Sequence, residues 1–217
     1  MAFRTGGHVA ALADCLHRDS ESPDNWTYVL PGVGEAAATA ILSDFHKQNV
    51  RKNSRLELYG IDFGQNTTLA SHAYISAVTS SSIVISGPPA TLKLLFSSKT
   101  FDAQPMPIPV RGPYHAAHLY TGLNAEKILH LKDPRVQQVF GNAKPKCQLM
   151  SCTTGAWYSE KSSTALIKSV LRDVLTKTLQ LHKVLEGCVL KAQNYRGPKC
   201  LVIKFGEDYP EHVIGNI

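Results

Sequence analysis

The residues best suited to acid–base chemistry are two histidines between Arg111 and Tyr120. His115 follows a Gly-Pro-Tyr turn signal, and His118 comes three residues later. Because an imidazole titrates near neutral pH, a histidine at the edge of a cleft can accept and return a proton. On a helix the two rings would share a face, which also allows a structural pair. Two metal ligands are only weakly indicated, since no carboxylate or cysteine lies beside them.

The segments on either side of these histidines predict an extended strand followed by a helix. Three prolines, at 105, 107 and 109, push the residues before them toward β or polyproline geometry. The range 105–110 is therefore predicted as a strand, and the chain is predicted to turn helical after Tyr120. At the exit of such a strand, just past a turn, the His115 imidazole can face a cleft.

The residues before this stretch predict the order β-α-β-β-α-β, which is the ferredoxin-like signature. Residue composition, an apolar stripe at helical spacing and the turn signal Ser80-Ser-Ser82 support the assignment. The predicted elements are, in order, Trp26–Leu30, Glu35–Gln48, Ala73–Thr79, Ile83–Ser86, Pro89–Ser98 and Pro105–Val110.

The remaining elements are predicted from the same kinds of pattern. The strongest is a single long helix, Thr164–Leu185, in which seven apolar residues recur in helical register. Further helices are predicted at Thr5–His17, Asn124–Leu131 and Asp133–Phe140, and strands at Cys147–Thr153 and Cys200–Phe205.

Two motifs together give the chain a family resemblance. The elements Ser86-Gly-Pro-Pro89 and Gly112-Pro-Tyr-His115, with Ala2-Phe-Arg-Thr-Gly6 before them, resemble the starter-unit acyl-carrier-protein transacylase domain of fungal non-reducing polyketide synthases. That domain is a member of the malonyl-CoA acyltransferase superfamily. The resemblance extends to about Gly206, where the family has Gly-Pro and this chain has Glu207. In the family, the backbone of that loop orients the catalytic histidine.

The resemblance implies an α/β fold with an α+β insert. A partial α/β-hydrolase-like acyltransferase body is expected from 1–24 and 113–217, and a ferredoxin-like small subdomain from 25–112. The range 49–72 is longer than the family's link. It is interpreted either as a surface loop or as sequence retained from an intron.

The same resemblance implies transfer of a starter acyl group from a thioester donor to an acyl carrier protein in polyketide biosynthesis. His115 occupies the position at which the family has its catalytic base, so the resemblance implies this role for His115. The family's nucleophile, in a Gly-x-Cys/Ser-x-Gly elbow, should precede the segment Phe3–Gly6, so the chain is expected to be N-terminally truncated and inactive alone. Cys152 looks nearest to an elbow but lacks a glycine two residues before it. The alternatives are a non-catalytic remnant, a carrier-docking module, or a gene-model fragment that does not fold alone.

The composition and the resemblance together indicate which cofactors, partners and cellular compartment to expect. No cofactor is expected in the chain itself; phosphopantetheine on the carrier protein and acyl-CoA as donor are implied by the resemblance. The net charge of +6 suits an acidic carrier and coenzyme A phosphates, or is simply a solvated face. Nucleic-acid and membrane partners are not expected. The five cysteines show no C-x-x-C spacing and are interpreted as reduced, small buried hydrophobes of a cytoplasmic protein.

Overall fold

The computed structural model describes residues 2–16, 25–57, 72–98, 100–141 and 143–197. Within those ranges, no helix is both long enough and apolar enough to cross a membrane. The predicted strand Cys200–Phe205 and the loop at Gly206 lie outside the described residues.

A five-stranded sheet forms the centre of the ferredoxin-like part of the structure, and its last strand comes from residues 179–180. Its order is β4-β1-β3-β2-β5. All neighbouring strands are antiparallel except β2 and β5, which are parallel. The order β4-β1-β3-β2 confirms the ferredoxin-like signature. The strands are β1 Thr27–Pro31, β2 Tyr74–Val78, β3 Ser82–Ser86, β4 Met106–Ile108 and β5 Leu179–Gln180. Strand β4 is shorter than predicted and lies at an edge, where prolines that cannot donate to the ladder are tolerated.

Seven helices and a 3-10 turn at Ala117–Leu119 are described. Helix α2 continues to Glu57, past the predicted end at Gln48 and into the range interpreted as inserted; 58–71 lie outside the described residues. The helices are α1 Ala2–Leu16, α2 Glu35–Glu57, α3 Pro89–Ser97, α4 Ala125–Ile128, α5 Pro134–Phe140, α6 Ser163–Thr176 and α7 Leu181–Gln193.

Two separate apolar clusters stabilise these elements. The first lies between the sheet and helices α2 and α3, around Leu30, Ile85 and Leu95, which are fully buried. The second joins α1, the 3-10 turn, α4 and α6 through Val9, Leu171 and other residues. Each buried aliphatic side chain contributes about 1.5–3 kcal/mol relative to exposure. The domain division at 24/25 and 112/113 stays a prediction, and β5, from the range assigned to the body, pairs with β2.

The single helix predicted over Thr164–Leu185 is wrong. Lys177 adopts extended geometry and ends α6, and Leu179 pairs with Ala77 before α7 begins at Leu181. The hydroxyl of Thr178 donates to the carbonyl oxygen of Ile75 at 3.0 Å. The open edge of β2 therefore outweighs the helical periodicity on which the prediction depended.

The predicted strand Cys147–Thr153 is also wrong, because the segment forms only an isolated bridge between Met150 and Trp157. Gly155, at φ 69°, lies in the turn between them. A side chain there would meet the carbonyl oxygen of Lys183 on α7, so the turn and the helix approach closely.

Candidate active site

The turn that contains His115, residues 112–116, is not helical and is called the histidine turn below. His115 has φ 59°, the left-handed region that few residues other than glycine adopt. The first helical geometry after it is the short 3-10 turn at Ala117–Leu119, which contains His118. The two histidines therefore do not lie on one helix, the arrangement in which their rings would share a face. Within the described ranges, no group of three or more metal-ligating side chains could hold a metal ion.

Two tyrosines fix the backbone immediately before His115. The hydroxyl of Tyr120 donates to the carbonyl oxygen of Pro113 at 2.8 Å, and that of Tyr74 to the carbonyl oxygen of Tyr114 at 2.7 Å. Tyr74 lies on β2 of the sheet, whereas Tyr120 lies in the second apolar cluster. The histidine turn is thus attached to both parts of the structure.

The end of α6 binds the other side of the histidine turn. The N–H groups of His115 and Ala116 donate to the carbonyl oxygens of Val174 and Leu175 at 3.0 and 2.8 Å. The last carbonyls of a helix have no partner within it, so these bonds satisfy both the helix end and the turn.

The imidazole itself is oriented by Lys177. Its Nδ1 lies 2.7 Å from the carbonyl oxygen of Lys177. Since a carbonyl can only accept, Nδ1 carries the hydrogen and Nε2 of the neutral ring is an acceptor. Burial lowers the pKa of His115, although the backbone carbonyls of Lys177 and Asp173 oppose the shift. The ring is therefore neutral at pH 7, as a general base must be.

The sequence comparison decides the family. A family model for the starter unit:ACP transacylase in aflatoxin biosynthesis matches residues 1–115, more than half of the chain, and the match ends on His115. The chain belongs to this transacylase family. The resemblance seen in the Ser-Gly-Pro-Pro and Gly-Pro-Tyr-His elements is thereby confirmed.

Curated relatives and a solved structure agree with the transacylase assignment. The chain is 41% identical over its whole length to the conidial pigment polyketide synthase PfmaE of Pestalotiopsis fici, and 28% identical over 95% of its length to the non-reducing polyketide synthase Preu8 of Preussia isomera. It spans 9% of each of these fungal proteins. The fold is similar to that of FabD from Acinetobacter baumannii, with a TM-score of 0.50, 14% identity and coverage of 87% of this chain and 51% of that one. The predicted acyltransferase fold class is confirmed.

No cysteine or serine of the chain has the pattern of the family's elbow, because none of them has a glycine two residues before it. The three described thiols, Cys147, Cys152 and Cys188, are free and exposed. Their interpretation as small buried hydrophobes is wrong. Polar loop composition around Cys147 and Cys152, and the outer face of α7 for Cys188, account for the exposure.

His118 lies in a different environment from His115. Its ring is 5.1 Å from that of Tyr74 and 6.2 Å from that of His72, which in turn stacks on His46 at 4.1 Å. Within the described part of the chain its buried Nε2 has no hydrogen-bond partner. Burial, and then the neighbouring His72 and His46, lower the pKa of His118 to about 4. These features fit a neutral packing residue.

Asp173, a buried carboxylate near the end of α6, was not predicted from the sequence. Its Oδ2 accepts hydrogen bonds from the hydroxyls of Ser151 at 2.7 Å, Thr153 at 3.2 Å and Tyr158 at 2.5 Å. Its Oδ1 pairs with the ammonium of Lys177 at 2.7 Å. The sequence did contain one signal for this residue. Asp173 is a charged residue in the predicted helix and lies four residues before Lys177, a spacing that allows an ion pair.

Proposed function

We propose that this transacylase chain takes part in transferring a starter acyl group from a thioester donor to an acyl carrier protein, with His115 as the general base. One observation carries the proposal: the bond from Nδ1 of His115 to the carbonyl oxygen of Lys177 leaves Nε2 free to accept a proton. The lowered pKa keeps that nitrogen unprotonated at neutral pH.

In this proposal the transfer has two steps. Nε2 of His115 takes the proton of the nucleophile, which attacks the carbonyl carbon of the acyl thioester; the donor's thiol leaves with that proton. The phosphopantetheine thiol of the carrier then gives its proton to Nε2 and attacks the acyl-enzyme. The released nucleophile regains the proton, so the imidazole ends each cycle neutral.

The nucleophile of the proposal comes from a Gly-x-Cys/Ser-x-Gly elbow outside the 217 residues. The absence of that pattern among their cysteines and serines supports this. We therefore expect that the 217-residue chain alone transfers little or no acyl group. The proposal also adopts 25–112 as a small subdomain and 1–24 with 113–217 as the body.

The partners of the proposal are an acyl carrier protein and an acyl-CoA or other acyl thioester. The cofactor is the phosphopantetheine of the carrier, and none is assigned to the chain itself. A net charge of +6 favours encounter with an acidic carrier and with the phosphates of coenzyme A.

Intact-mass measurement of acyl transfer tests the proposal. The chain, with and without an N-terminal extension carrying the family's elbow, is incubated with acyl-CoAs and a phosphopantetheinylated carrier protein. We expect transfer only by the extended chain, lowered about 10²–10⁴-fold by His115→Ala because a general base contributes that much. His118→Ala should stay within about tenfold.

Three results would contradict parts of this proposal. An acyl adduct on the unextended chain that passes to the carrier would show that the nucleophile lies within it. A greater loss with His118→Ala than with His115→Ala would refute the role of His115. Carrier binding by the extended chain without His115-dependent transfer would instead favour a docking module.

A further inference from the structure

Asp173 is a buried carboxylate whose location needs an explanation. The residue is 6% exposed, and burying a carboxylate is unfavourable unless it is paired and hydrogen-bonded. Burial raises its pKa, but the bonds from Lys177, Tyr158 and Ser151 outweigh this and keep the pKa below its ordinary value. The carboxylate is therefore charged, and its partners are all provided by the protein.

These partners connect two segments that are distant in sequence. Three hydroxyls come from the loop at 151–158, while Lys177 is the residue that ends α6. The N–H of Lys177 also donates to the carbonyl oxygen of Asp173 at 3.1 Å. Farther on, the N–H of Gln180 in β5 donates to the carbonyl oxygen of Cys152 at 2.9 Å. The charged centre at Asp173 and the bond from Gln180 therefore hold the backbone at 173–180, together with the pairing of β5 with β2 and the bond from Thr178 to Ile75.

The same backbone binds the histidine turn. Carbonyl oxygens of Val174, Leu175 and Lys177 accept the two N–H groups of the turn and Nδ1 of the His115 ring. We infer that Asp173 is a positioning residue for His115, acting through the side chain and carbonyl group of Lys177 and the last turn of α6. The orientation of the His115 ring thus depends on the Asp173 carboxylate, although the carboxylate does not bond the imidazole directly.

The inference builds on the proposed role of His115, but its test does not depend on catalysis. In the chain labelled with ¹⁵N-histidine, two-bond ¹H–¹⁵N spectra show which ring nitrogen is protonated. We expect His115 to give the single pattern of the Nδ1–H tautomer at pH 7. Asp173→Asn should convert it to an average of both tautomers, because the amide neither pairs with Lys177 nor accepts three hydroxyl bonds at one oxygen.

A matched control separates positioning from a general weakening of α6. The hydroxyl of Ser162 caps the first turn of that helix by accepting from the N–H of Ala165 at 3.2 Å. Ser162→Ala should destabilise α6 by a typical capping amount without touching Asp173, so the His115 pattern should stay that of the wild type. An unchanged pattern in Asp173→Asn, or an equal change in Ser162→Ala, overturns the inference.

If Asp173→Asn does not fold, two milder variants take its place. Tyr158→Phe and Lys177→Met each remove one partner of the carboxylate and leave the backbone carbonyl of residue 177 present. Each should give a partial loss of the single tautomer, and an unchanged pattern in both overturns the inference. Failure of the proposed function would be seen in a different experiment, the acyl-transfer assay. There, the extended chain would transfer the acyl group and His115→Ala would not reduce the transfer.

Discussion

Gly112, the first residue of the histidine turn, tests how tightly that turn packs on α1. A Cβ built at this position would lie 2.6 Å from Cγ1 of Val9 and 3.8 Å from its carbonyl oxygen. Carbon atoms in contact prefer about 3.5–4.0 Å, so Gly112→Ala requires one of the two to move. Val9 is 2% exposed and belongs to the second apolar cluster, which leaves it little room.

The expected cost of Gly112→Ala is that of overpacking, about 1–3 kcal/mol in the free energy of unfolding. Val9→Ala alone should cost about 1–3 kcal/mol, since it removes two buried methyl groups. In the double variant the new methyl group occupies space left by Val9. We therefore expect the double variant to be more stable than the sum of the single changes by about 1–2 kcal/mol.

Urea unfolding of the wild type and the three variants, followed by circular dichroism, measures this coupling. Gly122→Ala is the matched control, because nothing lies within 4 Å of a Cβ there. Effects of Gly112→Ala and Val9→Ala that add to within about 0.5 kcal/mol would refute the proposed contact between the histidine turn and α1.

Two further predictions concern the histidines. His115 has left-handed geometry, which costs a residue with a Cβ about 1–2 kcal/mol. In urea unfolding, His115→Gly should therefore be more stable than His115→Ala by about 1 kcal/mol. Equal stability of the two variants would show that φ at this position is not fixed. The pKa of His118 is lowered from 6.5 to about 4, so the unfolded chain binds more protons between these values, and the chain loses stability as the pH falls from 6.5 toward 4. Since the ring is partly exposed, we expect a loss of about 1–2 kcal/mol, which His118→Gln should reduce. An unchanged slope in His118→Gln would contradict this.

Local sequence signals were sufficient for the ferredoxin-like part of the fold. The first three strands have β-rich composition, the prolines at 105, 107 and 109 predicted β4, and Gly87 with Pro88 and Pro89 marks the end of β3 and the start of α3. The helix predicted over 164–185 failed because its periodicity says nothing of an open sheet edge. That edge comes from β2, about a hundred residues earlier in the chain, and only tertiary structure brings it to Leu179.

For the candidate site, the motif predicts His115 but not what surrounds it. Tyr74, Lys177 and Asp173 are separated from the motif in sequence. The bonds of Tyr74 and Lys177 to the motif both involve backbone oxygens, which every residue has. Sequence patterns do not encode such contacts. The left-handed conformation of His115 was equally hidden, because histidine adopts it only where the surroundings impose it.

The cost of that conformation explains why the histidine turn has so many distant partners. A φ of 59° is unfavourable by about 1–2 kcal/mol, whereas each hydrogen bond contributes a net 0.5–1.5 kcal/mol, roughly. Bonds from Tyr74, Tyr120 and the end of α6 together exceed the cost, although no single one does so reliably. The orientation of the His115 ring should therefore respond to changes in β2, α1 or the last turn of α6 that alter these contacts, even where they touch none of its own atoms. Asp173 is the charged residue that the described ranges bury, and it is linked to His115 through Lys177. Its substitution is therefore the most direct test of how the ring is oriented.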